Sequence, residues 1–192
     1  MALPQNQASA LSVAGTILPP DDQVSVQTED FEQGGVAIQD ASAGLMSHRW
    51  RCWVQGIDIR LQRDGAGEIV LFQQANVEAV SLAFDQNMRP HVAYMLSGGA
   101  LFLRWYDTVI QQYVTTAFGN GRNPRLTLDD KRIEQVQASD VIFAYIRDSG
   151  LYYRQQRDRF AVERLLKSNL PDNTRLKNIG MGSNLRLHFE LV

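Results

Sequence analysis

Five aspartates, Asp85, Asp107, Asp129, Asp148 and Asp158, are the residues whose type and number first suggest chemistry. Two carboxylates flanking a glycosidic bond can serve as general acid and as nucleophile or base. Each of these five lies at or beside a predicted turn, however, where an aspartate caps its own backbone. Turn capping is therefore their expected role. The histidines, His48, His91 and His188, fall on separate predicted strands with no HxH, HExxH or HxxE spacing, so no metal is expected. Cys52 is the only cysteine, which excludes an intramolecular disulfide and a cysteine cluster. On a strand, its neighbours Arg51 and Trp53 point to the opposite face, and an inert buried thiol is expected. Ser42 and Ser97 lack the Gly-x-Ser-x-Gly context of a nucleophile elbow. Gly98-Gly99 and Gly119-Asn120-Gly121 lack the residues that complete a phosphate loop or a dinucleotide fingerprint. No catalytic residue and no cofactor is expected.

The aromatic residues form the one surplus: Trp50, Trp53, Trp105, Tyr106, Tyr113, Tyr145, Tyr152 and Tyr153. Aromatics alternating along strands ordinarily make the packed face between sheets. The competing reading is a ligand or partner surface, because Trp and Tyr combine large contact area with a polar handle. Trp105, Tyr106, Tyr152 and Tyr153 are its candidates. Arg147, Arg154, Arg157, Arg159 and Arg164 gather nearby, but Asp148, Asp158 and Glu163 balance them, so an ion-pair network is expected there.

The elements that must position these residues are strands. Trp50, Cys52 and Val54 alternate with polar positions, and Ile57, Ile59 and Leu61 do so after the turn at Gly56. The spacing predicts further strands over 68–72, 80–84, 91–96, 100–106 and 112–118. The Gly119–Pro124 stretch is then expected to break the sheet. Residues 81–85 are echoed by 125–129, 92–96 by 143–147, and 101–104 by 151–154. Residues 160–166 take the place of 112–118, as a strand or as a short helix. Two clear four-stranded units and one weaker unit before them, each of roughly 40–50 residues, are the pattern of propeller blades. Strict alternation over 185–192 predicts a C-terminal strand that closes a sheet, for instance with residues near Val36. The expected fold is all-β: an antiparallel meander of about three four-stranded, blade-like units with a closing strand.

Residues 1–30 differ from the rest. They contain Pro4, Pro19 and Pro20 but no Lys, Arg, Trp, Tyr or Phe. This composition predicts an extended N-terminal arm ahead of a domain over 31–192, because so little apolar surface cannot offset the entropy of ordering. Its anchors Leu11, Val13, Ile17 and Leu18 are candidates for contact with a neighbouring subunit. Lys plus Arg is 19 against 21 Asp plus Glu, a net charge of −2. That balance argues against non-specific nucleic-acid or anionic-membrane binding, and no sequence-specific nucleic-acid partner is expected. At 44% hydrophobic and 21% charged residues, the chain can bury a real core. Neither a secretory signal nor a membrane span is expected.

Residues 31–45 leading into Trp50, and blades built as residues 81–85, Pro90–Tyr94, Gly98-Gly99 and 103–107, resemble virion proteins of tailed bacteriophages. The likeness is to the propeller domains of short-tail nozzle and tail-tube proteins, and it covers roughly residues 31 to 166. The chain is much shorter than those nozzle proteins. The resemblance implies a non-catalytic structural protein of the virion tail, synthesised in the host cytoplasm. It further implies a ring of copies of the chain in contact with other tail proteins. The alternative is a carbohydrate- or receptor-binding β-module, which should offer exposed aromatics in one shallow site.

Overall fold

A computed structural model describes residues 27–28, 32–38, 47–63, 65–85, 89–129, 140–181 and 186–192, those before Trp50 by their backbone alone. The first sheet contains β1 (Gln27–Thr28), β2 (Glu32–Ile38), β3 (Ser47–Gln55), β4 (Asp58–Arg63) and β5 (Glu68–Gln73). The second contains β6 (Val77–Phe84), β7 (Pro90–Leu96), β8 (Ala100–Asp107) and β9 (Gln112–Asn120). The third contains β10 (Arg122–Asp129), β11 (Asp140–Arg147), β12 (Gly150–Gln155) and β13 (Arg164–Lys167). A fourth holds β14 (Leu176–Met181) and β15 (Leu187–Leu191). In every sheet each strand pairs antiparallel with its neighbour in sequence. The protein is an all-β meander, and among the described residues the only helical turn is a 3-10 turn at Gln156–Asp158.

The sheets stack in chain order, β2 against β6, β6 against β10 and β10 against β14. Alternation sends successive side chains of one strand into different interfaces. Leu82 and Phe84 of β6 join Cys52, Ile59 and Tyr94 between the first and second sheets, while Ala83 enters the next interface. Phe143 and Tyr145 of β11 pack against Leu101, Leu103 and Trp105 between the second and third sheets. Ala144 and Ile146 point the other way, onto Leu176 and Ile179 of the fourth. This double burial explains the unbroken apolar run from Val141 to Ile146. The outermost strands β9 and β13 are largely exposed.

The repeat noticed in the sequence is a repeat of register. Val92 pairs with Arg104 as Phe143 pairs with Arg154, and Tyr94 pairs with Phe102 as Tyr145 pairs with Tyr152. The β7–β8 connection needs glycine, since Gly98 and Gly99 have φ of 95° and 87°.

Several expectations are corrected. The first sheet has five strands, β1 being an added short one. Apart from β1, residues 1–30, with Leu11, Val13, Ile17 and Leu18, lie outside the described residues. Val36 sits in β2 opposite Arg49 and not beside the C-terminal strand. That last strand pairs with β14 in a two-stranded sheet, so it closes no N-terminal sheet among the described residues. Pro124 does not break the chain. Between Arg122 and Arg125 the β10 register shifts, and this bulge accommodates a residue that cannot donate to the ladder. Residues 160–163 are not strand, because Arg159 and Phe160 adopt φ of 57° and 59° after the 3-10 turn, and β13 starts only at Arg164.

Candidate functional site

The interface between the second and third sheets is a closed network built on the repeat's aromatic positions. Trp105 is 4% exposed, meets Phe160 edge-on at 5.2 Å between ring centroids, and donates Nε1–H to Thr116 Oγ1 at 3.0 Å. Its indole is core and offers no contact surface. Tyr145, fully buried, donates its hydroxyl to Glu163 Oε1 and accepts from Arg154 Nε at 2.8 Å. Arg154 also donates Nη1 to the carbonyls of Phe160 and Ala161 and Nη2 to Glu163, while its guanidinium lies over the Phe118 ring at 4.9 Å. Arg147 adds a bond to Glu163 at 2.8 Å and ties the site to the Asn120 and Phe118 carbonyls of β9. Burial acts to raise the Glu163 carboxyl, but the Tyr145 hydroxyl and the two guanidiniums outweigh it and hold it below its ordinary value. Burial, reinforced by Glu163, pushes the Tyr145 phenol up to about 12, so it serves as a neutral donor.

The interface between the first and second sheets is open at its outer end. Tyr106, adjacent to Trp105 and therefore on the other face of β8, meets Tyr113 edge-on at 5.4 Å, with the Arg89 guanidinium 4.0 Å from its ring centroid. Arg104 lies over Phe72 at 5.0 Å and over Tyr113 at 5.6 Å. Leu71, Phe72, Pro90, Val92, Arg104 and Tyr113 line a cavity of about 100 Å³. Of the other candidate aromatics, Tyr152 stacks on Tyr145 at 6.3 Å, and Tyr153 faces the fourth sheet with Arg164 over its ring at 5.7 Å. The four are thus split between opposite faces of their strands and form no single patch.

Two of the candidate aspartates cap their turns. Asp107 Oδ1 accepts from the Val109 N–H at 2.9 Å and Asp85 Oδ1 from the Arg89 N–H at 3.0 Å, the turn capping expected of them. The arginine-rich stretch is an ion-pair set: Arg147 and Arg154 with Glu163, Arg157 with Asp140, Arg159 with Asp107 and Arg164 with Asp158. Cys52 is fully buried, and burial pushes its thiol up to about 12. His48, His91 and His188 sit in three different sheets. Among the described residues, no three His, Cys, Asp or Glu side chains could hold a metal ion together, and no helix is long and apolar enough to cross a membrane.

Large apolar side chains are exposed on two outermost strands. On β5, Ile69 is 55% and Val70 47% exposed, and on β13 Leu165 is 54% exposed. Composition could not single these out, because in the sequence they look like the buried strands beside them. Comparison with protein-family models, with curated proteins and with solved structures finds no match to this chain.

Proposed function

We propose that this chain is a structural, non-catalytic protein that assembles with copies of itself into a ring, as a component of a phage tail. The tail assignment rests on the blade-like resemblance of residues 31 to 166. One observation carries the assembly: among the described residues β5, the outermost strand of its sheet, pairs only with β4, and it presents Ile69 and Val70 to solvent. An edge strand with consecutive exposed apolar residues and a free row of backbone donors and acceptors invites a further strand.

The test is the mass of the full chain in solution by sedimentation, with negative-stain microscopy of the same sample. The wild type should form a symmetric oligomer. The Ile69→Lys/Val70→Lys double variant should be a monomer with an unchanged far-UV spectrum. A wild-type chain that stays monomeric at the highest concentration reached would overturn the proposal and favour a carbohydrate- or receptor-binding module.

A further inference from the structure

We infer that the cleft between the first and second sheets is a binding site for a small carboxylate, held by Arg104. The molecule contains the same site twice, once filled by a carboxylate of its own and once, among the described residues, without one. Arg154 and Arg104 occupy equivalent positions on the third strand of their sheets, opposite Phe143 and Val92 respectively. Each lays its guanidinium over a phenylalanine from the outermost strand of the preceding sheet, Phe118 at 4.9 Å and Phe72 at 5.0 Å. The difference lies in what meets the guanidinium N–H groups.

For Arg154 the partners are the Glu163 carboxylate, the Tyr145 hydroxyl and the carbonyls of Phe160 and Ala161. Tyr153 pairs with Arg164, so the ladder brings Glu163 level with Arg154. The residue opposite Arg104 is Thr115, which carries no charge. Arg104 touches the rings of Phe72 and Tyr113, and among the described residues no oxygen accepts a hydrogen bond from it. A guanidinium has five donors in a fixed planar fork. Half-buried between two rings, those donors are poorly reached by water and are matched by a bidentate carboxylate.

The cleft also selects the body of the ligand. Apart from Arg104 and the Tyr113 hydroxyl its lining is Leu71, Phe72, Pro90 and Val92, in about 100 Å³. A carboxylate with a short apolar chain satisfies both ends, whereas a tetrahedral, strongly hydrated oxyanion such as sulfate would press its remaining oxygens against apolar walls. Asp85, whose charge acts on Tyr113, accepts the Arg89 N–H at 3.0 Å and faces the Arg89 guanidinium at 4.0 Å. The same chemistry is offered by a free short-chain acid and by a glutamate side chain on another protein. The site does not depend on the assembly reading.

Full-length protein labelled with nitrogen-15 in arginine is titrated with propionate, with acetyl-glutamate-amide, with 1-propanol and with sulfate. Propionate should shift the Arg104 Nε resonance saturably. 1-Propanol should leave it unmoved, and sulfate should bind at least about tenfold more weakly. Tighter binding of propionate points to a free acid, and tighter binding of acetyl-glutamate-amide to an acidic side chain. Arg104→Gln should weaken binding by about tenfold or more. Thr115→Glu, at an exposed position, should supply the missing carboxylate from within, abolish propionate binding, and place the Arg104 Nε resonance near its ligand-saturated position. The inference is overturned by a wild type that shows no saturable shift with propionate, by sulfate binding as tightly as propionate, or by a Thr115→Glu variant that binds like the wild type.

Discussion

His91 is fully buried at the junction of the second and third sheets, where its two ring nitrogens have different work. Nδ1 lies 3.0 Å from the Arg89 carbonyl oxygen and Nε2 lies 3.2 Å from the Gln156 amide nitrogen. These neighbours assign the proton to Nδ1 and make Nε2 the acceptor of the Gln156 N–H, whose own Oε1 accepts from the Val141 N–H. An imidazolium would set a second N–H against that amide donor. Burial lowers the His91 pKa below 6.5, with the Arg89 charge acting in the same direction and Asp85 and the Arg89 carbonyl opposing. Between the lowered native value and 6.5 the unfolded chain binds more protons than the native one, so native stability is full above 6.5 and falls as pH drops. The loss should approach about 1.4 kcal/mol per pH unit until the native pKa is reached. Urea midpoints measured from about pH 7.5 down to about 5.5 should fall for the wild type and stay level for His91→Gln. An equal fall in both would assign the proton uptake to another group.

At the scale of elements, the first strands of the second and third sheets are each held by a side chain that crosses to the next sheet. Ser81 Oγ on β6 accepts the Leu126 N–H of β10 at 2.7 Å, and Arg125 Nε on β10 donates to the Lys177 carbonyl of β14 at 2.9 Å. The Ser81–Leu126 bond is buried, so Ser81→Ala leaves the Leu126 N–H without water or partner. The expected cost is about 1–3 kcal/mol, seen as a lower urea midpoint with an unchanged m-value; a change within error would show that the strand edge is satisfied elsewhere. The strands themselves were legible where one face is buried and the other half-exposed, as in β8, whose alternation is visible in the residue types. They were least legible where that condition fails. β2 carries Gly34 and Gly35, which have no side chain to alternate. β14 mixes Lys177 and Gly180 with its buried Leu176 and Ile179. Pro124 reads as a stop, because the bulge that admits it is a property of the ladder with β11 and not of the neighbouring residues.

At the scale of the whole molecule, the Arg104 cleft was only half-legible. The echo of residues 101–104 in 151–154 already equated Arg104 with Arg154. Thr115 and Glu163 become comparable only once the β8–β9 and β12–β13 registers are known. Stacking the sheets has a dynamic consequence as well. Phe143 and Tyr145 of β11 share one core with Ala83 of β6 and with Leu101 and Leu103 of β8, so neither the second nor the third sheet can open without exposing the other's apolar face. The outer strands are tied in weakly: β13 is short and mostly exposed, and β9 is exposed at most of its positions. Native-state hydrogen exchange under rising denaturant should therefore show two classes of amide. Those of β9 and β13 should exchange through local fraying with little denaturant dependence. Those of β6, β10 and β11 should merge onto a single isotherm, because their burial is lost in one event. Separate isotherms for β6 and β11 would mean that each sheet opens alone, and the shared core would then not couple them.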